Sequence, residues 1–140
     1  MNASEITALA IQARQIPELE RIHVLPRHFG RAMLSIEQAI YGFMREISRE
    51  YTGGYWQFFE LSNGGFYMAP QGRTSFDIRV EGNGFEGEMS ADAAGITACL
   101  FAFSHLSFQA PNDSIAEHYY RLREFALEHR EAGRILAAID

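Results

Sequence analysis

The sequence has no lysine, a single cysteine and no long hydrophobic run. All 12 basic residues are arginines, which we attribute to the codon composition of a GC-rich source, although arginine also favours bidentate anion contacts. The single cysteine, Cys99, excludes an intramolecular disulfide and is typical of a reducing compartment. Because it lies in the apolar run 96–101, we predict a buried thiol with a raised pKa rather than a nucleophile.

Targeting and membrane-spanning segments are also missing from the pattern. The N-terminus carries Glu5, has no basic residue before Arg14 and lacks the apolar core of a signal peptide. The longest apolar candidate, Ala93–Phe103, falls short of the ~20 residues that span a bilayer. We therefore expect a soluble cytoplasmic protein with no membrane partner. Hydrophobic residues still make up 47% of the 140 residues, which predicts one packed domain over 1–140.

The charge balance argues against two kinds of DNA-related protein. A net charge of −6, from 18 acids and 12 bases, makes nonspecific duplex binding unfavourable. The acids are also too mixed with arginines to mimic a whole duplex, which carries one charge per ~1.7 Å of axis. The 5 histidines form no HxxxH or HExxH pattern, and no Cys-His spacing suggests zinc. We predict no metal, no cofactor and no catalytic set, hence a protein that is not an enzyme.

The first 35 residues give weak signals. Residues 4–16 alternate weakly and fit either an edge strand or a frayed helix. Pro17 and Pro26 are expected to bracket a short helical turn over 18–23. We treat residues 1–21 as a loosely attached N-terminal segment of the domain.

Three longer helices are predicted from caps and apolar spacing. Ser35 and Gln38 form a capping-box pattern before a helix over 36–50, which the glycines at 53 and 54 are expected to end. Ser90 is the predicted N-cap of a second helix that runs to about residue 107, with Asp92 in its first turn, where a negative charge suits the helix dipole. After the break at 111–113, a last helix covers 114–138, with Gly133 as a dividing point.

Two Asn-Gly pairs predict two β-hairpins, because both residues tolerate the positive φ of a type I′ turn. The aromatic-rich runs 55–61 and 66–69 flank Asn63-Gly64. With a two-residue loop, Leu61 lies opposite Phe66 and Phe59 opposite Met68. The other face then carries Trp56, Phe58, Glu60 and Tyr67.

The second hairpin, 74–82 and 85–89 around Asn83-Gly84, separates apolar from charged residues. A two-residue loop places Arg79 opposite Glu88 and Glu81 opposite Glu86, the latter an unfavourable like-charge pair. The apolar face carries Phe76, Ile78, Val80, Phe85 and Met89, and the charged face carries Asp77, Arg79, Glu81, Glu86 and Glu88. The predicted architecture is α+β: a single compact domain with a four-stranded antiparallel meander and helices before and after it.

The glycine-rich stretch GNGFEGEMSADAAGI (82–96) matches GxGxxG as letters but lies in a hairpin and presents carboxylates where a phosphate would bind. Its charged face fits a cation, an arginine-rich partner or simple solvation. The stretch LPRHFGR, with Arg27, His28 and Arg31, could grip an anion or pair with these acids, and we favour pairing.

The assembled motifs resemble the KlcA/ArdB antirestriction proteins over about residues 22–140. The segments that carry the resemblance are LPRHFGR (25–31), GGYW (53–56), LSNGGFYMAP (61–70), GNGFEGEMSADAAGI (82–96), YYRLREFALEH (119–129) and AAID (137–140). The resemblance implies a plasmid- or island-borne protein that protects incoming DNA from type I restriction enzymes. It also implies a compact α+β fold, and it supplies no active site.

Two hypotheses for the mechanism follow. The first is a binding protein that contacts the type I restriction–modification complex or a host factor. Its candidate surface is the acidic hairpin with the helix start behind it, the two turn tips and the flanking basic loop: Glu81, Glu86, Glu88, Asp92, Asn63, Asn83, Arg27 and Arg31. The second is a DNA-binding protein that acts on the restriction substrate through arginines 27, 31, 121 and 123.

Overall fold

The computed structural model describes residues 10–109 and 113–140 and contains five strands and five α-helices in that part of the chain. The strands are β1 (Ala13–Gln15), β2 (Trp56–Leu61), β3 (Phe66–Pro70), β4 (Ser75–Val80) and β5 (Phe85–Ser90). The helices are α1 (Arg21–Phe29), α2 (Met33–Ile47), α3 (Ala91–Gln109), α4 (Asp113–Glu128) and α5 (Ala132–Ile139).

The α+β class is confirmed, with two antiparallel hairpins between helices. The hairpins lie in separate sheets: β1, β2 and β3 form one, and β4 and β5 form the other. The strand β1 pairs antiparallel with β2, with Arg14 opposite Glu60, so the edge-strand alternative for residues 4–16 holds at 13–15. Residues 4–9 of that prediction lie outside the described part of the chain.

The N-terminal helices depart from their predicted limits. A 3-10 turn, Glu18–Glu20, leads into α1, which contains Pro26 rather than ending before it. The carbonyl that loses a partner there belongs to Ile22, whose side chain is 73% exposed, so water can replace the missing donor.

The predicted capping box is wrong. The helix α2 begins at Met33, directly after a 3-10 turn over Gly30–Ala32, so Ser35 lies inside the helix and caps nothing. The preceding turn already supplies helical backbone, and no side chain caps the start. The helix also ends before the glycines, because Ser48 is extended with φ −143°.

The β2–β3 hairpin is confirmed, but its predicted register is wrong by one residue. Glu60 lies opposite Phe66 and Phe59 opposite Tyr67, whose rings stack with centroids 4.7 Å apart. A type I′ turn needs a positive φ at Asn63, and among the described residues only glycines have one. The chain instead closes a three-residue loop with Gly64 at φ 89°. Tyr67 therefore shares a face with Phe59, not with Trp56.

The predicted β4–β5 register is wrong by two residues, but the predicted assignment of residues to the two faces of the hairpin is correct. Arg79 lies opposite Glu86, and Asp77 opposite Glu88. The loop holds four residues, 81–84, closed by the Gly84 N–H donating to the Val80 carbonyl. Because side chains alternate with a period of two, an even slip leaves the charged residues outside, but it removes the predicted Glu81–Glu86 pair.

The helix α3 is the centre of the core. Ser90 caps it as predicted: its Oγ accepts the Ala93 N–H at 3.1 Å. Every residue from Ala93 to Leu100 is buried, which confirms a buried Cys99, and burial raises the pKa of its thiol to about 12. By length and composition α3 could cross a membrane, which the shorter apolar run 93–103 does not indicate. Its burial among α2, β3, α4 and α5 accounts for the same composition.

Gly95 permits a close approach between α3 and β3. A Cβ at this position would lie 2.6 Å from the Cα of Ala69 and even closer to the Met68 carbonyl oxygen. Real Cβ atoms do not reach such distances, so α3 could not pack on β3 with any larger residue here.

The C-terminal helical stretch divides before Gly133, which lies in the first turn of α5, so the predicted dividing point is wrong. The break falls at 129–131, where the Glu131 N–H donates to His129 Nδ1 at 3.0 Å. The Glu131 carboxylate accepts the Ser90 N–H at 2.9 Å and the Ser90 hydroxyl at 2.5 Å. These polar contacts tie the corner between α4 and α5 to the start of α3.

Asp92 adds further polar contacts between the start of α3 and this corner. Its carboxylate accepts the Tyr67 hydroxyl at 2.7 Å and His129 Nε2–H at 2.9 Å. The two contacts of His129 require the Nε2–H tautomer, because Nδ1 is already an acceptor. Burial raises the pKa of Asp92, but the hydrogen bonds from His129 and Tyr67 outweigh it and hold this pKa below its ordinary value.

We expect Gly95→Ala to destabilise the fold by about 1–3 kcal/mol, the usual cost of overpacking a core. The matched control is Gly42→Ala on the exposed side of α2, where a Cβ meets nothing within 4 Å. The control should gain about 0.5–1 kcal/mol, because glycine is a poor helix former. Urea unfolding measures both, and a stabilised Gly95 variant would contradict the close contact between α3 and β3.

Asp92→Asn should lower the free energy of unfolding by about 1–2 kcal/mol at neutral pH, a modest value because the Asp92 side chain is 40% exposed. The folded-state pKa of Asp92 is lowered, so its contribution is present above the ordinary carboxyl pKa and is lost as pH falls through the folded value. The gap between parent and variant should shrink in acid. Urea unfolding from pH 7 to 3, with Glu124→Gln as an exposed control, measures it, and a gap that grows in acid would refute this account.

Candidate partner-binding site

A groove of about 510 Å³ lies between the last turn of α2 and the outer face of the β4–β5 hairpin. Six carboxylates and two arginines line it, a formal excess of four negative charges, and Ile47, Ile78 and Gly87 complete its wall. We call it the acidic groove. Its charged residues are Glu46, Arg49, Glu50, Asp77, Arg79, Glu81, Glu86 and Glu88.

The alternation of side chains along β4 determines which residues form one side of the groove. Phe76 and Ile78 are buried under the sheet, so Asp77 and Arg79 point outward, as the sequence pattern predicts. Arg79 pairs with Glu86 at 2.8 Å, but both side chains are more than half exposed, so this ion pair contributes about 0–1 kcal/mol.

Two like charges remain in direct register across the hairpin. Asp77 lies opposite Glu88, an arrangement that opposes folding by a few tenths of a kcal/mol or more. The charged face therefore keeps a surplus of negative charge after its one internal ion pair is counted.

The other side of the groove comes from the end of α2. Glu50 accepts the Asp77 N–H at 2.6 Å and pairs with Arg73 at 2.7 Å, which fixes this segment to the edge of β4. The C-terminal end of a helix carries a partial negative charge, and Glu46 lies in the last turn of α2. Helix and carboxylates therefore add to one negative potential.

Glu81, Glu86 and Glu88 are the members of the predicted surface that lie together in this groove. The side chains of the two turn asparagines are hydrogen-bonded within the fold and are not free at the hairpin tips. Asn63 donates to the Arg121 carbonyl at 3.0 Å, and Asn83 donates to the Ala138 carbonyl at 2.8 Å. Each asparagine therefore fastens a hairpin to a C-terminal helix.

Arg27 belongs to a different cluster, centred on Glu60 of β2. Arg27 Nη2 and His28 Nε2 each lie 2.7 Å from Glu60, and Arg14 lies 3.2 Å away, so this stretch pairs with a carboxylate, but with Glu60 rather than with the acids of the β4–β5 hairpin. Burial raises the pKa of Glu60, but hydrogen bonds from His28 and Arg27 outweigh it and lower this pKa. Arg31 is exposed, and Arg27 is engaged with Glu60 rather than with the β4–β5 acids.

His118 is buried, with 3% of its surface exposed. Its ring packs 4.6 Å from Phe29 and 5.1 Å from His28, centroid to centroid. Burial lowers the pKa of His118 to about 4, which keeps it neutral near pH 7. Helical spacing on α4 could have indicated its inward position beside Leu122, four residues later.

The sequence did not identify the α2 side of the groove, formed by Glu46, Arg49 and Glu50. Their positions off the apolar stripe of α2 were visible, but nothing local indicates that they face a hairpin 30 residues away. Asp92, in contrast, faces Tyr67 and His129 and serves the fold.

The described residues of the site offer a negatively charged, open groove. Within residues 10–109 and 113–140, no group of three or more histidine, cysteine, aspartate and glutamate side chains is arranged to hold a metal ion. Carboxylates in an open groove attract cations and basic side chains, and they repel phosphates. The arrangement is therefore suited to a positively charged partner.

The chain is similar to known proteins in sequence and in structure. Residues 49–140 match the family model described as antirestriction protein. An antirestriction protein KlcA of Escherichia coli is 45% identical over 93% of this chain and 94% of its own length. The putative antirestriction protein YubI of Escherichia coli K12 is 33% identical over 89% of this chain and 93% of its own.

A solved structure of the KlcA and ArdB proteins superimposes with a TM-score of 0.85 at 44% identity, covering 93% of this chain and 95% of the other. Those proteins show a novel fold and antirestriction activity against type I DNA restriction systems in vivo but not in vitro. Similarity of this extent, in sequence and in backbone, means that the chain belongs to the antirestriction protein family.

Proposed function

We propose that this protein relieves restriction of incoming DNA by host type I restriction–modification systems, and that it does so in the cytoplasm by binding rather than by catalysis. The observation that carries the proposal is the solved relative, which has the same fold and this activity in vivo. The charged geometry of this chain gives the activity a candidate surface, the acidic groove.

The solved relative acts in cells but not in purified assays. A protein that blocked the restriction complex directly would be expected to act in both settings. The contrast favours a requirement for a further cellular component, and a host factor is the partner that supplies one. The restriction–modification complex remains the alternative partner, contacted only when that component is present.

Binding also fits the chemistry of the chain better than catalysis. The buried Cys99 has a raised pKa and therefore almost no thiolate near pH 7. The carboxylate–histidine pairs, Asp92 with His129 and Glu60 with His28, are used to join structural elements. The acidic groove has neither of these pairs at its surface.

The second hypothesis, action on DNA through arginines 27, 31, 121 and 123, receives little support from the ion pairs. Arg27 is bound to Glu60, and Arg121 lies 3.5 Å from Glu117, so neighbouring carboxylates partly neutralise both. A duplex phosphate would have to displace these carboxylates before it gained a contact.

Removal of carboxylates from the acidic groove tests its role in protection. The triple variant Glu81→Gln, Glu86→Gln and Glu88→Gln should reduce protection in cells by about tenfold or more, as expected when several charge contacts of about 0.5–1 kcal/mol are lost. The measurement is the plating efficiency of unmodified phage on cells that carry a type I system and express the variant. Urea unfolding of the purified variant confirms that the fold is kept.

A matched triple variant, Glu18→Gln, Glu117→Gln and Glu124→Gln, changes the net charge equally at exposed positions outside the groove. It should protect within about twofold of the parent, since isolated surface substitutions have small effects. Equal loss in both triple variants would point to net charge, and full protection by the groove variant would remove the groove from the mechanism.

The purified chain should not shift duplex DNA at low salt, because its net charge is negative and arginines 27 and 121 face carboxylates. A gel-shift series from about 0.02 to 0.2 M salt tests this, since phosphate contacts give a steep salt dependence. Binding that is strong at low salt and falls when arginines 27, 31, 121 and 123 are replaced by glutamine would favour the DNA hypothesis.

A further inference from the structure

An apolar pocket opens beside the acidic groove. Its volume is about 200 Å³, more than the ~150 Å³ of an engineered cavity that holds a benzene ring, so it has room for one large apolar side chain. The rings of Phe43 and Phe101 stack in its wall with centroids 5.7 Å apart, and both are only partly buried. We call this hollow the apolar pocket; its lining includes Phe43, Ile47, Val80, Gly82 and Phe101.

The apolar pocket is joined to a shallow trough along α2 and α3. The trough shares Phe43 and Glu46 with the pocket and continues past Gly42 to Leu106. Gly42 lacks a side chain, and a Cβ there would meet nothing within 4 Å, so the trough is open. A hollow that continues along two helices suits an extended or helical segment of a protein better than a small molecule.

Charge decides what kind of segment fits. The apolar pocket and the acidic groove share Glu46, Ile47, Arg79 and Glu81, so the apolar wall passes directly into the carboxylate surface. A segment that places an apolar side chain in the pocket must lay its flanking residues across an excess of four negative charges. Arginine and lysine complement that surface, whereas acidic or phosphorylated flanks are repelled.

We propose that the apolar pocket and the acidic groove together bind a segment of a partner protein that presents one large apolar side chain flanked by arginine or lysine. This inference rests on the proposed function for the biological role of the partner, but the chemistry of the segment follows from the two hollows alone. The aromatic pair supplies a central anchor, and the carboxylates supply steering and selectivity at the rim.

Competing occupants match the surface less well. Nucleic acid would bring its phosphates against the carboxylates, and the groove would repel them. Within the described residues the acids of the groove are not arranged as a metal site. A basic protein segment is the occupant that uses both the stacked phenylalanines and the negative charge.

The test begins with a random twelve-residue peptide library on phage, panned on the purified full chain at about 0.15 M salt, where exposed charges are screened as in the cell. We expect the enriched peptides to carry a leucine, methionine or aromatic residue flanked by arginine or lysine. Enrichment of other sequences, or no enrichment, would overturn the proposal.

Glycine substitutions locate the binding. Gly82→Trp places a bulky side chain at the mouth of the apolar pocket, where a Cβ meets nothing within 4 Å and the φ is not positive. Gly133→Trp is the matched control, an equally open glycine that lines none of the three hollows. Fluorescence anisotropy should show about tenfold weaker binding of an enriched peptide to the first variant and less than about twofold change in the second. Equal affinities would overturn the proposal.

Gly42→Trp in the trough provides a second obstruction if the hairpin variant is poorly folded. Thermal unfolding identifies folded variants, and only those enter the comparison. The triple glutamine variant of the groove should weaken the same peptide by about tenfold and flatten its salt dependence, because three of the screened contacts are gone.

The peptide measurement and the restriction assay can refute the present inference and the proposed function independently. If the glutamine variant loses protection in cells while no basic apolar peptide is enriched, restriction relief through the groove stands and the present inference falls. If Gly82→Trp abolishes peptide binding but protects cells fully, the chemistry of the pocket stands and its role in restriction relief falls.

Discussion

The structure depends on the close contact between α3 and β3. At Gly95 the helix backbone approaches Ala69 so nearly that a methyl group has no space, and one turn later the Cys99 thiol lies 3.6 Å from the Met68 carbonyl. The same helix packs against α2, α4 and α5, so its distance from β3 sets the positions of these three helices. The apolar composition that gives α3 the appearance of a membrane segment is what such a central position requires.

Polar contacts then fix the periphery onto this core. Each hairpin turn carries an asparagine whose amide donates to a helix carbonyl, Asn63 to Arg121 and Asn83 to Ala138. Asp92 and Glu131 bind the corner between α4 and α5 to the start of α3. The β4–β5 hairpin is therefore held at its loop and at its end. Its outer face is a preorganised surface, and a partner that binds there pays little to order it.

The sequence predicts much of this fold where the signal is local, and less where several elements meet. Alternation along β4 and β5 placed Asp77, Arg79, Glu86 and Glu88 outside, and that assignment survived a register error because the error was two residues. The same reasoning at Asn63 failed by one residue and put Tyr67 on the wrong face, because a three-residue loop replaced the type I′ turn. Turn types depend on φ values that a single sequence leaves open. The α2 side of the acidic groove required tertiary contacts that no local pattern contains.

The distribution of arginine supports the proposed role of the acidic groove in binding. Glu60 pairs with Arg14, Arg27 and His28, so this chain neutralises a carboxylate where the fold requires it. In the groove, the ion pairs of the described residues use Arg79 and Arg73 and leave the carboxylates of Glu46, Glu81 and Glu88 without a cation. Asp77 opposite Glu88 and Glu46 at the negative end of α2 both oppose folding. A single arginine in place of either glutamate would relieve that cost. In our proposal, a basic, apolar segment of another protein would match this surplus charge and the two partly buried phenylalanine rings beside it, and it would gain both contacts at once.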